Sequence, residues 1–102
     1  ILKDNSKWSD IYVIKWVMEN MNLNCMFFDA NTNEVYCGVQ NKNNKKNVFI
    51  MWINHAHFEP IARINKDGSQ QTVFDNNDRL VEHILTRYNT RCKNVQEKDV
   101  LF

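Results

Sequence analysis

Apolar and polar positions divide the chain into segments of two kinds. Ile11, Ile14, Val17, Met18 and Met21 recur at three- and four-residue spacing, which lines one face of a helix. Ser9 and Asp10 stand at its head, a hydroxyl to cap free amides and then an acid for the first turn. The helix is therefore expected to start there, with residues 1–7 a frayed polar entry and Trp8 closing over the first turn. Asn22 tolerates the left-handed conformation and is expected to stop it. Leu80, Val81, Ile84, Leu85 and Tyr88 repeat the pattern, which predicts a second amphipathic helix, with Asn76, Asn77 and Asp78 offering caps.

The segments between alternate, or are apolar throughout. LNCMFFD, from Leu23, is apolar on both faces and reads as a buried strand. After a turn at Asp29–Asn33, EVYCGV returns as a hairpin partner, and Gly38 marks a bulge or a close backbone approach. QNKNNKK reads as a polar hairpin loop and NVFIMWI as a central strand. HFEPIARI predicts a fourth strand on which His57, Glu59, Ile61 and Arg63 share a face. Pro60 removes a ladder donor, so that strand should begin at an edge or a bulge. Lys66–Ser69 is a turn, QQTVF a short strand, and residues from Thr90 onward have no assigned element. The fold class expected is α+β, a small mostly antiparallel sheet flanked by two helices.

Length and charge narrow the classes. The 102 residues suit a single domain over 1–102, and the missing initiator Met reads as an excised part of a larger protein. Lys and Arg number 13 against 12 Asp and Glu, which argues against a basic footprint for nucleic acid. The apolar run Val48–Ile53 is too short to span a bilayer, and ILKDNSKW lacks a signal-peptide core, so no membrane partner is expected. Cys25, Cys37 and Cys92 are odd in number without a CxxC pair, which predicts three reduced thiols and a cytoplasmic setting. The Asn and Lys surplus of NKNNKKN suggests an AT-rich genome and long solvated loops.

His57 and Glu59 are the candidate catalytic residues. Two apart on a strand, they project together, and a carboxylate beside an imidazole fixes its tautomer and raises its basicity. The plainer alternative is a solvated strand face, with Glu59 meeting Arg63. A nucleophile is missing, because apolar strands would raise the pKa of Cys25 and Cys37, and Cys92 has no assigned position. His55 and His57 form an H-x-H without a third ligand, so no metal is expected, and no cofactor motif occurs. Trp16 and Trp52 are expected in the core. Lys42, Lys45 and Lys46 read as solubilising charge; with Arg87, Arg91 and Lys93 they form the weaker, nucleic-acid alternative.

The order of elements, from Trp8-Ser9-Asp10 through LNCMFFD, EVYCGV and NVFIMWI to HFEPIARI, resembles the C-terminal half of OTU-type papain-like cysteine proteases. In that family the catalytic His opens the last strand before an aromatic residue, as His57-Phe58 does here, and Glu59 stands where Asn or Asp often orients the imidazole. The resemblance implies His57 as general base and Glu59 as its orienter for a Cys absent from this chain. That family's Asp- and Cys-bearing motif lies upstream, and nothing in Ile1–Lys7 matches it. Phe58-Glu59-Pro60-Ile61 also resembles a FEPI-containing module in large proteins of nucleocytoplasmic large DNA viruses, including early-transcription-factor-like proteins. There a polar turn, a Phe and a helix ending near a Cys follow, as Asn65–Ser69, Phe74, Leu80–Tyr88 and Cys92 do here. The expectation is a catalytically incomplete OTU-like module for protein interaction or assembly, with a protein partner or the rest of its parent chain. The alternative is the His-bearing half of a deubiquitinating cysteine protease, with ubiquitin as partner.

Overall fold

The two segments that are apolar on both faces form the inner strands and are largely buried. In the computed structural model, which describes residues 2–54 and 56–94 with side chains from residue 11, β1 (Leu23–Asp29) and β3 (Lys46–Ile53) lie side by side and parallel. β2 (Val35–Val39) flanks β1 antiparallel, and β4 (His57–Pro60) flanks β3 antiparallel. With β8 at Lys93–Asn94, the order across the sheet is β4-β3-β1-β2-β8, and β7 (Phe74–Asp75) pairs separately with β3. β8 runs parallel to β2 and places part of the segment left unassigned above.

The sheet separates two cores. Helix α1 (Leu2–Asn20) covers one face, where Ile11, Tyr12, Ile14 and Met18 pack on Cys25, Phe27, Val48, Ile50 and Trp52. Helix α2 (Arg79–Tyr88) covers the other, where Val81 and Ile84 pack on Met26, Val35, Phe49 and Phe74. The fold is a small α+β architecture with a mixed, mostly antiparallel sheet between two helices, as the pattern predicts.

Helix ends follow local chemistry. Asp78 caps α2 by accepting from the Leu80 amide at 3.0 Å. Asn22 stops the first helix with φ 57°. α1 begins at Leu2, ahead of the expected start at Ser9, since Leu2–Ser9 contains no Gly or Pro to break it. Ser9 therefore lies within the helix and not at its cap, and the packing of Trp8 falls outside the described side chains. Trp16 departs from the expected core position and is 64% exposed. Five residues past Ile11, it is turned by about 140° from the buried stripe.

Three further departures have topological causes. QNKNNKK is a crossover between β2 and β3, because β1 sits between those strands. Asn24 at the start of β1 holds it, its Oδ1 accepting from the Asn41 amide at 2.8 Å and from Asn44 Nδ2 at 3.1 Å. HFEPIARI is broken: Pro60 cannot donate, the Ile61 amide makes a last bond to Phe49 O at 2.7 Å, and the chain leaves the sheet. Its remainder, β5 (Arg63–Ile64), pairs only with β6 (Gln70–Gln71), around a turn with Gly68 at φ 87°. QQTVF is likewise divided between β6 and β7.

Gly38 fulfils both parts of its expectation. The register slips between Cys25 and Met26 opposite it, and a Cβ at Gly38 would stand 2.5 Å from Cys25 Sγ and 2.7 Å from Cys25 O. Trp52 is buried, in the core as expected, and stacks on Phe58 at 5.7 Å.

Candidate functional site

His57 and Glu59 project from the edge strand β4 opposite Ile53 and Met51. His57 Nε2 and Glu59 Oε1 lie 2.9 Å apart, so the expected pair forms. Both side chains are open to solvent, about 60% exposed. The Arg63 alternative does not form. The break after Pro60 turns Arg63 away, and its guanidinium forks onto Asp78 at 2.9 and 3.0 Å and reaches Gln71 at 2.8 Å. His55 lies outside the described residues. Among those described, no three potential metal ligands cluster.

None of the three sulfurs is arranged as a partner for the imidazole. Cys25 is buried in the α1-side core with Phe27, whereas alternation along β4 puts His57 and Glu59 on the opposite face from Phe58, which belongs to that core. Burial pushes the Cys25 thiol up to about 11, against a smaller lowering by a hydrogen bond involving the Val39 backbone. Cys37 and Cys92 are joined in a disulfide, with Cα atoms 5.3 Å apart. This overturns the expectation of three reduced thiols. The cause is the parallel pairing of β8 with β2, which sets Cys92 next to Cys37 across 55 residues of chain.

The basic residues are largely occupied. Lys46 pairs with Asp75, and Lys93 Nζ meets Glu34 Oε1 at 2.9 Å, which together with Tyr36 lowers the Glu34 pKa. Arg87 and Arg91 lie over the Tyr88 ring at 5.7 and 5.6 Å. Four of the six cations of the nucleic-acid alternative thus already have partners within the fold.

A second constellation was missed by sequence reasoning. Asn24 and Asn47 are register partners on β1 and β3, on the α2 side of the sheet, and line a cleft of about 270 Å³. Met26 and Phe49 form its floor, and Leu85 of α2 walls it. Gln40 Nε2 donates to Asn89 Oδ1 at 3.0 Å and ties the crossover loop to the end of α2. Asn47 is 3% exposed; its Nδ2 donates to Phe74 O at 3.2 Å and to Asn76 Oδ1 at 2.7 Å. The available signal was a polar amide at the second position of each of two largely apolar strands.

No family model matches this sequence, and no curated protein does either. No described helix is long and apolar enough to cross a membrane.

Proposed function

We propose that the chain is a protein-interaction module, an OTU-like half-fold without a complete catalytic set, serving transcription or particle assembly within a large viral protein. The observation that carries this reading is the outward face of α1, where Trp16 is 64% exposed and Val13, three residues earlier, 53% exposed. A Trp so exposed is uncommon on a surface without a partner, and Trp is enriched where binding energy concentrates. The occupant is another polypeptide presenting apolar side chains to Trp16 and Val13. The viral and transcriptional setting rests on the FEPI resemblance alone. A cytoplasmic setting fits only with Cys37 and Cys92 in their dithiol form, since that compartment keeps thiols reduced.

Sedimentation velocity tests the reading. At rising concentration the chain should self-associate, and Trp16→Ser should weaken that association. A strictly monomeric profile, unchanged by the substitution, counts against the proposal.

The 2.9 Å contact of His57 with Glu59 favours a second reading, the His-bearing half of a deubiquitinating cysteine protease. There Glu59 orients His57 as general base, and the thiol comes from elsewhere in the parent. A ubiquitin-based thiol probe should then label the full-length parent but not its His57→Ala variant. A parent that the probe leaves unlabelled removes this reading.

A further inference from the structure

We propose that the cleft between β1, β3 and α2 is a binding site for a mononucleotide, with the base held by Asn24 and Asn47 and the phosphate by Lys42. The argument starts from how each carboxamide is fixed. Asn24 Oδ1 is taken by two donors, the Asn41 amide and Asn44 Nδ2. Its Nδ2 donates to no described residue and is left as a donor at the cleft. Asn47 is the complement. Its Nδ2 is committed to Phe74 O and Asn76 Oδ1, and its Oδ1 accepts from no described residue while staying open to the cleft. That oxygen is not among the fully buried atoms left without a partner, so it keeps access to the cleft and can accept a hydrogen bond from water or a ligand there.

The two amides are register neighbours on adjacent strands, which sets their side chains about 5 Å apart on one face. The cleft therefore presents one donor beside one acceptor. The matching ligand edge is an acceptor beside a donor, as on the pairing edges of nucleobases. Met26, Phe49 and Leu85 supply the apolar surround that a planar ring needs. The volume, about 270 Å³, is slightly below the range of about 300–1,000 Å³ usual for small-molecule sites, which suits one ring system and not an oligonucleotide or a peptide. Lys42, on the exposed crossover loop, lines the same cleft and supplies the cation for a phosphate.

The test is ¹H–¹⁵N NMR titration of the oxidised chain with the four ribonucleoside 5′-monophosphates, their nucleosides and inorganic phosphate. At least one monophosphate should shift the Asn24 and Asn47 side-chain amides together with Leu85 and Asn89. Asn24→Asp keeps an oxygen for the Asn41 and Asn44 donors but turns the free donor into an acceptor, and should weaken binding by about tenfold or more. Lys42→Ala sits on an exposed loop and leaves the fold alone. It should weaken the monophosphate by about two- to fivefold and leave the nucleoside unchanged. Absence of shifts at the cleft with every nucleotide overturns the proposal. So do shifts reproduced by inorganic phosphate alone, or binding that neither variant alters.

Discussion

Breaking the Cys37–Cys92 bridge is the sharpest perturbation the fold offers. The two cysteines are 55 residues apart in sequence, and the bridge encloses β3, β4 and α2 within one covalent loop. Closing a loop of that length removes denatured-chain entropy worth about 4 kcal/mol at 25 °C in the chain-entropy model. The native side adds to the loss, since β8 pairs with β2 at only two positions and is otherwise tied by Lys93 to Glu34. A urea m-value of about 1–1.5 kcal/mol/M, suited to a chain of this size, turns 4 kcal/mol into a midpoint lowered by roughly 3 M. The assay is urea unfolding followed by tryptophan fluorescence, on the oxidised chain, the chain in dithiothreitol, and the Cys37→Ser/Cys92→Ser double variant. The last two should unfold together, well below the first. Coincident midpoints for all three, or three titratable thiols in the denatured but unreduced chain, would refute the reasoning.

Gly38→Ala should destabilise the chain by about 1–3 kcal/mol in the same assay, because the new Cβ meets the Cys25 backbone oxygen, which no side-chain rotation can move aside. His57→Ala should change the midpoint little, by less than about 1 kcal/mol, since its contact with Glu59 is open to solvent. Acid should weaken the fold through Asp78, whose pKa is lowered by Arg63 and by its hydrogen bond to the Leu80 amide. A depressed folded pKa means its contribution is present above the unfolded value of 3.8 and is lost as pH falls through the folded one. Asp78→Asn keeps an oxygen for the cap and loses the charge, so thermal melts from about pH 6 downward should show a shallower acid loss. In native protein at pH 8, iodoacetamide should leave Cys25 largely unmodified, because a buried thiol of pKa about 11 is scarcely ionised there.

Much of the fold was legible because its signals are local. The stripe of α2, the Asp78 cap, the apolar runs of β1 and β3 and the left-handed Asn22 each depend on residues within a turn or two of one another. What escaped depends on contacts distant in sequence. QNKNNKK has a hairpin's composition, and nothing within it reveals that β1 inserts between its flanking strands. Cys92 stands next to Cys37 only because β8 joins β2. The candidate site divides in the same way. The approach of His57 to Glu59 follows from strand alternation, whereas Asn24 and Asn47 become neighbours only once β1 and β3 pair in parallel. Trp16 shows the reverse error, where an apolar segment concealed that one of its members points outward.

The two borders of the sheet have a bearing on how copies of the chain can meet. One border is β4, four residues long, bearing Glu59 and ending in Pro60; the other is β8, two residues long and stapled next to Cys92. Short, charged or proline-bearing margins resist the addition of a foreign strand. Among the described residues neither border offers a long template for growth by backbone pairing, so copies of this protein would be expected to join through side chains of its helical layers.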